Sequence, residues 1–305
     1  MKKFFSGVLN VVGMFFAAIL ILADAFVTIN CVFLPKYLTN EYTVEVDNEV
    51  REEMVIMSTN VRYFNPLDFF QKSWFYRADL LMKDVDSVKP DIIGFQEVTP
   101  IQYDYIVKNM PSYDNILAYR DNSIFKEGCA IFFRSDKYNK IDAGHFWLST
   151  TPDVMSKDWG SEHYRVTVYA ILEDKVTSER FVVFNTHLDS KSQEARINGI
   201  DVVLDKISEF GSIPAFLMGD LNAEPDSKTI NATKEDFDDA CLIATVTDQG
   251  PTYHDWGNEE KEKRIDYVMI SKGDATVSEY VIVDNNHDGV YSSDHSSIYI
   301  KTKLN

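Results

Sequence analysis

Short apolar runs alternate with polar segments along most of the chain, and a few longer runs have helical spacing. The short runs are rich in Val, Ile, Phe and Met and predict buried strands. They are Met54–Asn60, Asp91–Gln96, Asn115–Tyr119, Ala130–Phe133, Tyr164–Leu172, Phe181–Asn185, Ala215–Met218, Ile265–Ile270, Tyr280–Val283 and Ser297–Ile300. Strands outnumber helices and their order is mixed, which favours two packed sheets with helices outside over a Rossmann-like single sheet.

Two stretches have the spacing of amphipathic helices. In residues 74–88 the apolar side chains fall on one face, and Ser73 stands at the N-cap position. In the second stretch, Ser190 with Gln193 resembles a capping box, and apolar residues follow at helical spacing up to Ile207. We interpret both apolar faces as parts of the core.

The N-terminal segment has a different pattern. Lys2 and Lys3 precede a long apolar stretch from Phe4 to Leu22. A bilayer core requires about 20 apolar residues, so residues 1–35 are predicted to form a signal anchor that includes a transmembrane helix. The positive-inside tendency keeps the lysine pair in the cytoplasm and places the rest of the chain outside.

This segment also defines the predicted domain organisation. A polar linker rich in Glu and Asp covers 36–52, and a catalytic domain covers 53–305. The small-x-small sequence Ala23-Asp24-Ala25 keeps open an alternative, in which the protein is secreted after cleavage near Ala25.

Charge and cysteine content narrow the function classes. The chain has 305 residues and a formal net charge of −18, from 48 acidic and 30 basic residues. A negative field opposes loose binding to nucleic acid, although it leaves room for a local basic groove. The cysteines Cys31, Cys129 and Cys241 have no metal-like spacing, so neither a zinc site nor a disulfide framework is indicated.

Six short segments place a carboxylate, amide or imidazole at a predicted strand end. They are Asn60-Val61-Arg62, Gln96-Glu97, Asn185 to Asp189, Gly219 to Asn222, Arg264 to Tyr267 and Ser293-Asp294-His295. Polar groups collected at strand ends form the kind of crevice in which α/β enzymes hold their chemistry. The set offers hard oxygen ligands for Mg²⁺ and histidines for proton transfer, without a glycine-rich phosphate loop.

The order and spacing of these segments resemble the endonuclease/exonuclease/phosphatase superfamily with the DNase I-like fold. The resemblance extends from about Met54 to Ile300, nearly the whole predicted catalytic domain. It implies a four-layer α/β/β/α sandwich built on two packed mixed β-sheets. It also implies hydrolysis of phosphoesters with a divalent metal, usually Mg²⁺ with Mn²⁺ as a substitute.

The resemblance implies roles for individual residues. Glu97 matches the principal metal ligand, Asn60 the amide that steadies the metal site, and Asp294 a second carboxylate on the metal side. The residues matched to catalytic roles are His187, Asp220, Asn222, Asp266 and His295. His187 and Asn222 would contact the phosphate, Asp220 would orient or deprotonate the water, and Asp266 would hold the ring of His295.

The predicted function is that of a metal-dependent phosphodiesterase, either a nuclease or a sphingomyelinase-like enzyme. The substrate is a nucleic acid, a phospholipid or a small phosphodiester, and we expect a monomer that contacts the membrane through its N-terminal helix. The alternative is an inactive exported binding module that retains the fold. The roles of Arg165, Asp189 and Arg196 stay open at this point.

Overall fold

The computed structural model describes residues 10–24, 37–39, 42–46 and 52–305 of the chain. Residues 10–24 form a helix, α1, whose side chains are exposed. No helix in these described ranges is both long and apolar enough to cross a membrane. The predicted anchor over 1–35 lies mostly outside the described residues, and the predicted linker over 36–52 lies partly outside them.

The remaining elements alternate along the chain. The strands are β1 (Met54–Asn60), β2 (Ile92–Val98), β3 (Tyr113–Tyr119), β4 (Gly128–Arg134), β5 (Tyr138–Trp147), β6 (Val166–Asp174), β7 (Arg180–His187), β8 (Ala215–Asp220), β9 (Phe237–Asp239), β10 (Val246–Thr247), β11 (Asp266–Ser271), β12 (Ala275–Ile282), β13 (Asn286–His287), β14 (Val290–Tyr291) and β15 (Ile298–Leu304). The helices are α2 (Trp74–Val88), α3 (Pro100–Asn109), α4 (Gln193–Ser208), α5 (Lys228–Thr233) and α6 (Ala240–Ile243), with 3₁₀ turns at Phe70–Lys72 and Glu259–Lys261.

Two mixed sheets form the centre of the domain. Sheet I has the strand order β10-β12-β15-β1-β2-β4-β3, and sheet II has the order β5-β6-β7-β8-β11-β9. Each contains parallel and antiparallel pairs: β1 and β2 run parallel in sheet I, as do β7 and β8 in sheet II. The short strands β13 and β14 pair only with each other. The predicted pair of packed mixed sheets is therefore confirmed.

Alternation along the strands produces three apolar layers. In β1, Ile56 points between the sheets, where it joins Val183 of β7 and other residues of both sheets. Its neighbour Met57 faces the opposite way and packs with Leu81 of α2. Sheet II repeats this arrangement, because its outer face packs on Ile200 of α4. Helices thus cover the outer face of each sheet.

Every strand predicted above is present, although most of the predicted bounds differ from the observed ones. The longest strand that the pattern missed is β5, an edge strand whose middle positions are largely exposed and polar. The predicted capping box of Ser190 with Gln193 is wrong. Helix α4 is capped instead by Ser192, whose side chain accepts from the backbone N–H of Ala195. Cys129 and Cys241 are buried free thiols.

Candidate active site

Strand pairing brings polar residues of sheet II into one row. His187, the last residue of β7, pairs with Asp220, the last residue of β8. Asp220 in turn pairs with Asp266, the first residue of β11. Across the sandwich, Asn60 ends β1 and pairs with Gln96, so that Glu97 follows directly beyond this pair. Polar ends of both sheets therefore meet at one edge of the domain.

An irregularity in β2 sets the orientation of Glu97. The pairing of β2 with β4 shifts register between Phe95 and Val98, and Glu97 has a φ of 63°. Such a conformation costs on the order of 1–3 kcal/mol in a residue other than glycine and persists where surrounding contacts hold it. Here the carboxylate accepts from the backbone N–H of Tyr63 at 2.9 Å and from Nδ2 of Asn60 at 3.4 Å.

Asp220 makes a polar contact between the two sheets at this edge. Its Oδ2 accepts a hydrogen bond from Nδ2 of Asn60 at 3.0 Å. The same oxygen lies 3.4 Å from Nε2 of His187 and 3.8 Å from Nε2 of His295. Burial, followed by the negative charge of Asp266, raises the pKa of Asp220 to about 7. A carboxylate with this pKa exchanges protons readily near neutral pH.

His295 is held by a carboxylate on its other ring nitrogen. Its Nδ1 lies 2.9 Å from Oδ2 of Asp266, and the same oxygen accepts from Oγ1 of Thr252 at 2.6 Å. Burial opposes a charge on the ring, but Asp266, the hydrogen bond with it and Asp220 together raise the pKa of His295 to about 10. The ring is therefore a charged donor at neutral pH, and its Nε2 points towards Asp220.

His187 has the opposite protonation preference. Burial lowers the pKa of His187 well below its ordinary value, and the positive charges of Arg165 and Arg120 add to that shift. The ring is therefore neutral at physiological pH. The two histidines beside Asp220 thus differ in charge, because burial and then Arg165 and Arg120 lower the pKa of His187, whereas Asp266 on Nδ1 raises that of His295.

Arg165 is buried beside this cleft with little direct pairing. It is 5% exposed, and its Nε has no hydrogen-bond partner among the described residues. Its closest ion pair is with Oδ2 of Asp189, at 3.7 Å. Arg120 lies near it and forms an ion pair of 2.7 Å with Glu127. A buried guanidinium with unused donors favours an anionic ligand at this end of the cleft.

The three residues left open by the sequence differ in position. Arg165 lines the cleft, as described above. Asp189 builds the loop before α4, because its Oδ1 accepts from the backbone N–H groups of Lys191 and Ser192. Arg196 lines the cleft and donates to the carbonyl of Asp189 at 2.8 Å. Asp189 and Arg196 therefore shape this loop through contacts with each other.

The cleft has a volume of about 1390 Å³. Six of the eight residues singled out by the sequence line it, namely Glu97, His187, Asp220, Asn222, Asp294 and His295. The other two, Asn60 and Asp266, are buried and reach the cleft only through the side chains that they hold. The structure therefore brings the whole predicted set together, with two members in supporting positions.

Further polar residues line the cleft without having been predicted. Arg62 has a φ of 52° and places Nη1 at 3.9 Å from Oδ2 of Asp294. Arg120 directly follows β3, and Glu127 directly precedes β4. These two occupy the strand-end positions that identified the other residues, so the same signal applied to β3 and β4 finds them. Arg62 lies in the predicted segment Asn60-Val61-Arg62, but only Asn60 was singled out there, because Arg62 follows the end of β1.

The donor atoms of the site fit a divalent metal. Asp220, Asp266 and His295 form a buried cluster whose candidate ligand atoms lie within 4.8 Å of one another. Glu97 and Asp294 also line the cleft. Burial raises the pKa of Asp294, His295 opposes that shift and Glu97 adds to it. A divalent cation relieves the cost of placing several carboxylates together, and it prefers oxygen ligands.

Burial alone would raise the pKa of Glu97, but Arg62 and the Tyr63 N–H outweigh this effect and lower it. Glu97 is consequently ionised and ready to bind a cation. In the cluster of Asp220, Asp266 and His295, Oδ2 of Asp266 and Nδ1 of His295 already form a hydrogen bond with each other. Each carboxylate oxygen of Glu97 accepts one hydrogen bond, which leaves a second lone pair on each oxygen for a cation.

Comparison with known proteins found a matching family and several similar solved structures. Residues 57–295 match the profile of a family described as the Endonuclease/Exonuclease/phosphatase family. A solved endonuclease/exonuclease/phosphatase from Bacteroides vulgatus is 29% identical, with a TM-score of 0.79, and the match covers 84% of this chain and 100% of that one. The mannosyl-6-phosphatase of Bacteroides thetaiotaomicron VPI-5482 is 28% identical, with a TM-score of 0.75 and coverage of 82% and 99%.

A more distant relative is the CCR4-Not complex 3'-5'-exoribonuclease subunit Ccr4 of Aspergillus niger. It is 23% identical over 210 residues, which are 52% of this chain and 32% of that protein. The chain therefore matches about a third of the length of this relative. The relatives that match include proteins named as a nuclease and as a phosphatase.

Proposed function

Because this chain belongs to the endonuclease/exonuclease/phosphatase family, we propose that it is a divalent-metal-dependent phosphoester hydrolase. The observation that carries the proposal is the position of Asp220. It lies beside His187 and His295 in a cleft that Glu97 and Asp294 also line, and Nδ2 of Asn60 contacts both Asp220 and Glu97. This arrangement supplies a proton acceptor, a charged donor and oxygen ligands around one small volume.

The metal proposed is Mg²⁺, with Mn²⁺ as a substitute. Glu97 and Asp294 would hold it, and Asn60 would orient Glu97 through the hydrogen bond described above. When bound, the ion would offset the negative charge that builds up on the phosphate as the reaction proceeds. Two carboxylates, with an amide that orients one of them, are a ligand set of the kind that Mg²⁺ uses. Two protein ligands suffice because this ion usually keeps several waters.

The side chains of the protein handle the proton transfers. Asp220, with a pKa of about 7, would accept a proton from the water that attacks phosphorus in line. As the bond from phosphorus to the leaving oxygen breaks, His295 would donate the proton on its Nε2 to that oxygen, because Asp266 holds its Nδ1. His187 and Asn222 would contact the other phosphate oxygens, and Arg165 would add positive charge at the same end of the cleft.

We propose a phosphodiester as the substrate, in a nuclease-like or sphingomyelinase-like reaction. A phosphomonoester is a second candidate, and the similarity to a mannosyl-6-phosphatase over most of both chains favours it. A net charge of −18 supports a small substrate over a long nucleic acid in both cases.

The test is hydrolysis by the purified protein with Mg²⁺ on two matched sets of substrates. The diester set is DNA, RNA, sphingomyelin and bis(4-nitrophenyl) phosphate, and the monoester set is 4-nitrophenyl phosphate and mannosyl 6-phosphates. Turnover in the first set supports the phosphodiesterase proposal, and turnover confined to the second supports the phosphatase. Binding without turnover of any substrate would instead support the alternative, an inactive binding module.

We also propose that residues 1–35 hold a monomeric catalytic domain at the outer side of a membrane. The support is the apolar length from Phe4 to Leu22 and the flanking lysine pair. Fractionation of intact cells with and without external protease tests this. A soluble extracellular form beginning near Phe26 would support cleavage near Ala25, and a protease-protected cytosolic protein would contradict export.

A further inference from the structure

Arg77 lies in the first turns of α2 and is fully buried, with an exposure of 0%. Its guanidinium group donates to four backbone carbonyls and, among the described residues, has no carboxylate at ion-pair distance. The bonds run from Nε to Lys72 O at 3.1 Å, from Nη1 to Val61 O at 2.7 Å and Ser292 O at 2.9 Å, and from Nη2 to Arg62 O at 2.6 Å.

Such a buried charge has an energetic cost that backbone carbonyls only partly offset. Burial lowers the pKa of Arg77 to about 10, while the nearby Asp294 opposes this shift. The group therefore stays charged at neutral pH. Two indole rings enclose it, with the guanidinium carbon 5.2 Å from the ring centroid of Trp74 and 5.6 Å from that of Trp256. Arginine suits this position because its planar fork serves several acceptors at once.

The carbonyls that Arg77 binds belong to the segments that carry the proposed metal ligands. Val61 and Arg62 directly follow Asn60, and Ser292 precedes Asp294 by two residues. The two segments are also joined directly, because Oγ of Ser293 donates a hydrogen bond to the carbonyl of Asn60 at 2.6 Å.

The backbone of the first segment also reaches the proposed ligands. The N–H of Arg62 donates to Oδ1 of Asn60 at 2.9 Å, and the N–H of Tyr63 donates to Glu97. Arg62 adopts a positive φ at this point, so its conformation depends on contacts outside the segment.

We infer that Arg77 is a positioning residue that clamps the exit of β1 to the Ser292 segment and thereby sets the arrangement of Asn60, Glu97 and Asp294. This inference rests on the proposed function, because it assigns these three residues to one metal site. Arg77 does not line the cleft and therefore acts through the backbone of its neighbours. The positive charge of Arg77 also interacts with the carboxylates of Asp294 and Glu97 and offsets part of the repulsion between them.

The test compares Arg77→Lys with Arg134→Lys in the otherwise complete chain. A lysine keeps the charge but has three donors and no fork, so it cannot serve all four carbonyls. Arg134 is a matched control: it is also buried, but it ends β4 away from the cleft and pairs with Asp136. For each variant we would measure thermal unfolding, Mn²⁺ binding by calorimetry and backbone hydrogen exchange.

Arg77→Lys should weaken Mn²⁺ binding by about 10–100-fold, the range typical of residues that orient metal ligands. It should also speed the exchange of the Tyr63 amide, while Arg134→Lys changes neither quantity. A lower melting temperature for Arg77→Lys, with wild-type Mn²⁺ affinity and wild-type exchange at Tyr63, would overturn the inference and leave a purely structural role.

The wild-type protein provides a measurement that does not depend on the variant folding. If the clamp couples to the metal site, Mn²⁺ should slow the exchange of the Tyr63 amide and leave that of the edge strand β5 unchanged. Equal exchange with and without bound Mn²⁺ would overturn the inference. If the wild type binds no Mn²⁺, the proposed function fails, and the effect of Arg77→Lys on Tyr63 exchange still tests the clamp.

Discussion

The two sheets position their contributions to the cleft in different ways. In sheet II, His187, Asp220 and Asp266 lie in register on paired strands, so regular hydrogen bonding of the backbone sets their spacing. On the sheet I side, Glu97 sits in an irregular part of β2, and Asp294 lies between β14 and β15. Loops, positive φ angles and the guanidinium of Arg77 set the spacing on this side.

This difference teaches that the sheet II row of His187, Asp220 and Asp266 is rigid by construction, whereas the metal half depends on contacts between loops. His295 lies in the loop beside Asp294 and joins the sheet II row through its hydrogen bond with Asp266. Paired strands in a packed core have few alternative arrangements. Loops can adopt others unless a specific contact excludes them, and Arg77 supplies several such contacts. Perturbations of the two halves should therefore have separable effects.

Removal of the metal should have the largest effect. Activity should fall to background in excess chelator and return with Mg²⁺ or Mn²⁺, because Glu97 and Asp294 offer oxygen donors. Thermal unfolding should remain cooperative without metal, since the sheets and their cores do not depend on it. Full activity in chelator, with the metal content verified as nil, would contradict the mechanism.

Replacement of His295 by Ala should remove the loop residue that completes the sheet II row through Asp266. We expect kcat to fall by about 10²–10⁴-fold with a much smaller change in KM, because the ring acts on protons in the transition state. Asp266→Asn should reproduce much of this loss, since it weakens the 2.9 Å contact with Nδ1. Steady-state kinetics on both single variants and the double variant provide the test.

If the two residues act as a unit, the double variant should lose little more than either single variant. Additive losses would show that His295 and Asp266 act independently. A wild-type kcat in either single variant at saturating substrate would refute the pairing altogether.

Replacement of Glu97 by Gln should break the metal half in a different way. The Mg²⁺ concentration at half-maximal rate should rise at least about tenfold, the cost typical of losing even an outer partner of a metal ligand. Added Mg²⁺ should restore part of the rate, which it cannot do for His295→Ala. Glu173→Gln is the control, because Glu173 pairs with Arg180 on the surface. An unchanged Mg²⁺ dependence for Glu97→Gln would remove Glu97 from the metal site.

The smallest predicted effect is that of replacing Thr252, which contacts the sheet II residue Asp266. Thr252→Val keeps the shape of the side chain but removes the hydroxyl that donates to Asp266 and accepts from the Ile265 N–H. The buried groups left unpaired should lower the free energy of unfolding by about 1–3 kcal/mol. Urea unfolding measures this loss, and activity should fall far less than in Asp266→Asn. A loss of activity as large as that of Asp266→Asn would show that the hydroxyl itself, rather than the carboxylate, orients the ring.

Local patterns made most of the sheet II site predictable. Asp220 and His187 each end an apolar run, and a polar group at that point is visible within a few residues of sequence. Arg120 and Glu127 adjoin the ends of the sheet I strands β3 and β4, so the same signal would have found them although they were not predicted. Arg77 could not be found in this way, because its carbonyl partners lie up to 215 residues away along the chain.

The incorrect N-cap has a local explanation that sequence alone did not resolve. Ser190 and Ser192 are both suitable caps, and the choice depends on the carboxylate of Asp189. Since Oδ1 of Asp189 accepts from the N–H groups of Lys191 and Ser192, it holds these residues in a turn before the helix. Ser192 is then the first residue free to cap α4.

The hydrogen bond between Asn60 and Asp220 joins strands of different sheets across 160 positions of the chain. Each partner lies in its own sheet, so the bond forms only after the two sheets have docked. A compact folding intermediate with both sheets formed but not yet packed together would lack the assembled site. Enzymatic activity is therefore a late event in folding, and its recovery during refolding should report the docking step itself rather than the appearance of secondary structure.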